Sequence, residues 1–245
     1  MKVSIVNAIL DSPEIARRQV LHYNRIELPN DVEVIFIDDG SRPALDLSTV
    51  SKFFNFRQYA TNNFRPWTQP AARNDGALKA RGKYCIFTDI DHILTAQAIE
   101  TARTATADVI RFKRQVAILR KDGSFSQDKT ELRAWGFDRN SLRIAPHGNS
   151  YIFRRDLYLR LGGVDTRFVG TGRYPNREEV PLKRKLKTID VDIIDDDRRP
   201  TIYMFPNGKY AGSKDANPFG LFHKLSRMTN REKRNARLER SHTSA

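Results

Sequence analysis

The sequence predicts an α/β fold: a mostly parallel, twisted sheet flanked by helices, with a smaller β/α part after it and a basic C-terminal tail. Three observations carry this. Apolar runs of strand length recur near residues 3–9, 32–37 and 84–88, each nearly continuous, as strands covered on both faces read. Helix-start and helix-stop residues lie between them. From about residue 101 the alternation gives way to short strand-like runs around an Asp-Gly turn.

Taken in order, "KVSIVNAI" is a buried strand, and Ser12-Pro13-Glu14 offers an N-cap, a proline at the first helical position and an acid in the first turn. A helix to about Tyr23 follows. "DVEVIFIDDGS" is a second strand that stops at Asp38-Asp39-Gly40-Ser41. "PAARNDGALKARGK" opens a helix at Pro70, keeps small residues through its middle and places Gly82 as a C-terminal cap. "YCIFT" is the next strand. "DVIRFKRQVAILRKDGSFSQ" predicts a hairpin around Asp122-Gly123, "GNSYIFRRDLYLRLGGVD" a strand, a helix and a glycine stop, and "PLKRKLKTIDVDII" a helix or loop leading to a strand. The last twenty residues are an exposed helix or a basic tail.

The 245 residues suit one domain with embellishments. With 39% hydrophobic and 10% aromatic residues, wholesale disorder is excluded. Cys85 stands alone, which excludes an intramolecular disulfide and a cysteine-based metal cluster and fits a reducing cytosol. The N-terminus lacks the apolar core of a signal peptide, and no stretch approaches the roughly 20 apolar residues that span a bilayer. A cytoplasmic location is therefore expected, in a host cytoplasm if the chain is viral, with peripheral membrane contact compatible. The 43 Lys and Arg against 29 Asp and Glu, a net charge of +14, favour an anionic partner: nucleic acid, an acidic membrane surface or a phosphorylated substrate.

Chemistry points to the strand ends. In an open parallel sheet, ligands bind outside the carboxyl ends of the strands. Asp38-Asp39 and Asp89-Ile90-Asp91 both fall there, and alternate residues of an extended segment point the same way. Two carboxylates side by side repel unless a cation joins them, and a hard ion such as Mg2+ or Mn2+ bridging to a diphosphate suits oxygen ligands. The competing reading is that aspartates after strands cap the next helix or hold a turn. The order of the motifs outweighs it: strand-DDGS, a small-residue helix with Arg73-Asn74-Asp75-Gly76, then strand-D-x-D.

In that order, "VEVIFIDDGS", "ARNDGALKARGKYCIFTDID" and "LGGVDTRFVGTGRYPNREEVPLKRKL" resemble the successive motifs of family 2 glycosyltransferases with the GT-A fold, over Val3 to about Leu186. The resemblance implies one catalytic domain over 1–225, with a nucleotide-binding part at 1–100 and an acceptor-side part at 101–225, followed by the basic segment 226–245. It implies that Asp39 meets the nucleotide base, Asp38 holds its loop, Asp89 lies near the ribose and Asp91 ligates the metal. Arg73 and Asn74 fall near the nucleotide or the D-x-D loop, the alternative for Arg73 being a surface cation. Gly76, Ala77 and Ala80 permit close helix packing. The family's E-D pair falls on Glu178 and Glu179, with Pro181 on its later aspartate and Lys185 on its arginine. Glu179 is then the candidate base that takes the acceptor proton, against the reading that "REE" is a solvated helix start.

His223 is the candidate late metal ligand, with aromatic packing as its alternative; His92 follows D-x-D and is expected to face away from both aspartates, and His147 to fall on the acceptor side. Trp67, Trp135, Phe168 and Tyr174 offer faces for a sugar or base, or for core packing. The resemblance thus implies a metal-dependent, inverting transfer from a nucleotide-diphosphate sugar, a UDP-sugar above all, to a hydroxyl of a saccharide or lipid-linked glycan. The charge raises the alternative of a DNA glycosyltransferase acting on hydroxymethylated pyrimidines, of the phage type. More distant are a nucleotidyltransferase, for which "VNAILDSPEIARR" lacks the glycines of a phosphate loop, and a non-catalytic nucleic-acid-binding protein, which leaves both acidic clusters unexplained.

Overall fold

A computed structural model of the full chain describes residues 1–52, 55–63, 65, 68–135, 137, 140–146, 148, 150–167, 169 and 180–205. Their main sheet has seven strands in the order β12-β6-β11-β4-β1-β2-β3. At its centre lies β1 (Val3–Ile9), parallel to β2 (Val32–Asp38) on one side and to β4 (Tyr84–Phe87) on the other. β3 (Phe56–Ala60) extends the sheet beyond β2, also parallel. β11 (Tyr151–Arg154) runs antiparallel between β4 and β6 (Val109–Arg111), and β12 (Ile193–Ile194) closes the far edge.

Period-two alternation divides these strands between two cores. Val3, Ile5 and Ile9 of β1 with Val34 and Phe36 of β2 face α1 (Pro13–Arg25) and α3 (Ala96–Arg103). Val6, Ala8, Ile35 and Ile37 face the other way, against α2 (Gln69–Lys79), α5 (Arg155–Arg160) and α6 (Val180–Leu186). With both faces covered, β1 and β2 are buried along their whole lengths, which explains their nearly unbroken apolar runs. Gly76 lets α2 lie directly on this second face, because a Cβ there would stand 2.4 Å from Val6 Cγ1, and Ala77 beside it is fully buried.

A smaller sheet in the order β10-β7-β13-β5 stands beside the first. It joins β5 (His92–Ile93), β7 (Lys113–Val116), β10 (Arg143–Ile144) and β13 (Thr201–Met204). The predicted hairpin is present: β8 (Ile118–Leu119) pairs antiparallel with β9 (Phe125–Ser126), and Gly123 in its turn has a φ of +83°. α4 (Lys129–Ala134) follows it, capped by the Asp128 side chain on the Glu131 amide. Trp135, just beyond, packs its ring 4.8 Å from Phe205 as part of the core.

Three expectations need correction. β3 is a strand that the sequence reading passes over, because "FRQYA" mixes polar and apolar residues without period at a half-covered edge instead of forming an apolar run. Ser12 occupies the N-cap position of α1 without capping it; its hydroxyl turns back to donate to Leu10 O. Gly82 is not a helix cap, since α2 already ends at Lys79 with Ala80 in an extended conformation. Glycine is required at 82 for a crossing: a Cβ would lie 2.6 Å from both Ser4 N and Val3 C of β1. Both neighbours are backbone and cannot yield cheaply, so Gly82→Ala should lower stability by about 1–3 kcal/mol. Urea unfolding checks this, as a lower midpoint at unchanged slope.

Candidate active site

The parallel strands β1, β2, β3 and β4 all end at one edge of the main sheet, and two acidic loops start there. The first is built on Asp38, the last residue of β2. Its carboxylate is buried and accepts Ser41 N on Oδ1 and Leu45 N on Oδ2, both at 2.8 Å, while Gly40 takes a φ of +86° to complete the turn. Asp38 therefore acts as a brace for the loop. Asp39 is presented by this brace: its amide donates to Ile9 O at 2.7 Å, its side chain is 2% exposed, and Thr61, the residue after β3, approaches its Oδ1 at 3.5 Å. Asp11, at the end of β1, ties the loop from the other side. Its Oδ1 accepts Arg42 N and its amide donates to Ser41 Oγ.

The second loop follows β4. Asn7 of β1 reaches across with its carboxamide to Thr88 O and Thr88 Oγ1, fixing where the strand stops. Asp89 comes next and accepts Arg73 NH2 on Oδ1 at 2.9 Å, with Gln69 Nε2 at 3.3 Å on the same oxygen. Arg73 is only 2% exposed, so it is a buried partner of the D-x-D loop and not a surface cation. The next residue of α2, Asn74, does something else. Its Oδ1 accepts Tyr158 Oη and Val164 N and its Nδ2 donates to Val164 O, which fastens the Gly163-Val164 loop to the helix. Both ends of that amide are thus engaged with protein.

Asp91 is 7% exposed, and its backbone carbonyl accepts Phe205 N at 2.8 Å. His92 does not face away from the aspartates. Asp89, Asp91 and His92 each offer a ligand atom within 4.8 Å of one another, a cluster of three found among the described residues. Paired carboxylates of this kind fit a hard divalent cation, whose charge offsets their mutual repulsion. The imidazole is already occupied: Nδ1 lies 3.1 Å from Asp91 Oδ1, and Nε2 lies 3.0 Å from Arg114 NH1.

Two residues that hold this loop were missed in the sequence. Gln19, inside α1, donates from Nε2 to both Ile90 O and His92 O at 2.9 Å. Its signal was a polar residue in the apolar stripe, four positions from both Ile15 and Tyr23. Arg114 sits in β7, where it reads as one more strand cation in a basic chain. Of the later motif, Lys185 in α6 donates from Nζ to Leu161 O just past the end of α5, a structural use. Glu178, Glu179 and His223 lie outside the described residues, as do Trp67, His147, Phe168, Tyr174 and the segment 226–245.

A mostly parallel sheet covered by helices, with acidic loops at its carboxyl edge, is the arrangement of the GT-A fold. Residues 14–175 match the model for glycosyltransferase like family 2, and the chain belongs to that family. The matched stretch takes in both acidic loops and Arg73, and ends just before Glu178. Among solved structures, the chain is similar to S. aureus TarS. The complex of TarS 1-349 with UDP-GlcNAc aligns at a TM-score of 0.55 and 15% identity, covering 100% of this chain and 74% of that one. The complex with UDP aligns at 0.54 and 15%, covering 84% and 61%. A further TarS structure aligns at 0.54 and 16%, where the chain covers 84% of its own length and spans 37% of that protein. No curated protein sequence matches the chain.

Proposed function

We propose that the chain transfers a sugar from a nucleotide-diphosphate sugar, with UDP as the expected nucleotide, to an acceptor hydroxyl, with inversion and with a divalent metal. The observation that carries this reading is the pairing, at one sheet edge of a family 2-like chain, of a braced and buried Asp39 with a D-x-D loop whose first acid is neutralised by a buried arginine. TarS has been crystallised with UDP and with UDP-GlcNAc, which favours the same donor class here.

In this reading Asp39 accepts from the nucleotide base, and Asp89, held by Arg73, meets the ribose. Asp91 and Asp89 would hold Mn2+ or Mg2+, which when bound neutralises the departing diphosphate. His223 is proposed to complete the set. Glu179, with Glu178 beside it, is proposed as the base that takes the acceptor proton as the new glycosidic bond forms. The unit would be 1–225, with 1–100 for the nucleotide, 101–225 for the acceptor and 226–245 as a basic extension. A panel of nucleotide sugars with Mn2+, scored by thermal unfolding, tests the donor. A ligand at a hundred times its Kd stabilises by about 2.7 kcal/mol, roughly 5–10 °C in Tm for a chain of this size. No shift with any donor would remove the reading.

For the acceptor, a saccharide or lipid-linked glycan is the first proposal. The net charge of +14 supports an anionic acceptor or surface, and so keeps a hydroxymethylated DNA base as a second. Duplex binding that falls steeply with salt would favour DNA, and absent or salt-insensitive binding would argue against it. No helix among the described residues is long and apolar enough to cross a membrane. The chain is proposed to work in the cytoplasm.

A further inference from the structure

We infer that His92 is a positioning residue for Asp91 and not a metal ligand, and that Arg114 makes it so: the guanidinium facing Nε2 forces the ring proton onto Nδ1, the nitrogen turned toward the Asp91 carboxylate. The inference rests on the reading in which Asp91 holds the cation.

Arginine has five donors and no acceptor, and it stays protonated in proteins. Its NH1 stands 3.0 Å from His92 Nε2, so Nε2 must present its lone pair. A histidine with a lone pair on Nε2 carries its proton on Nδ1. To bind a cation, Nδ1 would have to give up that proton. In a neutral ring the proton would then sit on Nε2, head to head with another donor. The ring is thus closed to metal from both nitrogens, even though it falls within reach of the two aspartates.

Neither partner owes its place to the other. Arg114 lies in β7 between β10 and β13, opposite Ile144 and Ile202. Its Nε and NH2 donate to Ala145 O, and NH1 also approaches Met204 Sδ at 3.7 Å. His92 pairs with Met204 in β5, donates its amide to Asp89 O and accepts Gln19 Nε2 on its carbonyl. The ring is therefore held between a fixed arginine and the D-x-D loop. Nδ1 and Asp91 Oδ1 are both sealed from solvent and lie 3.1 Å apart. With Oδ1 beside the ring nitrogen, Oδ2 is left as the oxygen for the cation. Such support behind a ligand typically governs metal affinity. Each acid of the D-x-D pair then has an arginine behind it: Arg73 touches Asp89 directly, and Arg114 reaches Asp91 through an imidazole.

The test is imidazole 15N NMR on the full chain, with the His92 signals assigned by their loss in His92→Gln. The expected result is a protonated Nδ1 and an unprotonated Nε2, unchanged when Mg2+ and UDP are added. A ring protonated on Nε2, or an Nδ1 signal that moves to a coordinated position with Mg2+, overturns the inference. A second measurement takes the Mn2+ concentration needed for half of the UDP-induced thermal shift. It should rise about 10- to 100-fold in His92→Ala and in Arg114→Leu. His92→Asn, whose carboxamide N–H replaces Nδ1–H, should recover most of the loss, and His92→Gln should not. Equal losses in Asn and Ala would overturn the positioning role. If the wild type shows no Mn2+-dependent UDP shift, the donor reading fails, while the tautomer measured on the free protein still decides the role of Arg114.

Discussion

Asp91→Asn is expected to reduce kcat/KM by about 100- to 1,000-fold, the usual scale for removing one electrostatic contact to developing charge. The substitution keeps the size of the side chain and one carbonyl-type oxygen, so packing around this 7% exposed residue survives. It removes the charge that a divalent cation requires and, with its oxygen kept beside His92 Nδ1, turns an NH2 group to the position of Oδ2. The fold should not suffer, because the wild-type loop keeps two carboxylates within 4.8 Å and losing one relieves their repulsion. The measured pattern is therefore lost Mn2+-dependent transfer and lost UDP protection at an unchanged or slightly higher Tm. Asp38→Asn is the contrasting control. Both of its oxygens already accept backbone amides, so a carboxamide must turn a donor toward a donor, and that variant should lose stability. Undiminished metal-dependent transfer by Asp91→Asn would end the proposed mechanism.

Glu33→Ala is expected to destabilise the protein by about 3–5 kcal/mol, the scale for breaking a buried charged network on one side. Glu33 points from β2 toward the edge of the sheet opposite the site and is 1% exposed. Three donors converge on it at 2.6 Å each: Ser4 Oγ and Arg81 N on Oε1, and Arg57 NH2 on Oε2. Deleting the carboxylate takes the acceptor from Ser4 Oγ and Arg81 N and leaves Arg57 NH2 with Lys79 O. Urea unfolding should show the full loss, whereas UDP affinity well below the melting range should stay within about twofold, since the acidic loops lie across the sheet. A loss below about 1 kcal/mol would mean that the network is not a structural anchor.

The two carboxylate sites show what sequence can and cannot disclose. Asp38-Asp39 and Asp89-x-Asp91 were legible because each follows a nearly continuous apolar run, and a strand that stops on acids marks the ligand edge of a parallel sheet. Glu33 was invisible for the opposite reason: it interrupts such a run, and only the crossing of Arg81-Gly82 over β1 explains why a charge belongs there. Arg73 could be placed near the loop, but its burial depends on how deeply α2 lies on the sheet, which Gly76 decides. Asn74, next to it and equally polar, was sent by one step of helical rotation to the Val164 loop instead. The link between His92 and Arg114 spans two strands of a sheet whose pairing no local pattern announces. β3 escaped because a strand at the edge of cover carries a mixed pattern that resembles a loop.

The stitch from Phe205 N to Asp91 O, together with the pairing of β13 to β5, has a consequence for how the protein is made. Residues 1–100 contain every carboxylate of both acidic loops, and on paper they look like a self-sufficient nucleotide half. The loop that carries Asp91 is nevertheless finished by a strand more than a hundred residues downstream. A nascent chain leaving the ribosome therefore exposes all of these acids before it has the scaffold to aim them, and the loop that carries Asp91 is completed late in synthesis, when residues 201–205 dock.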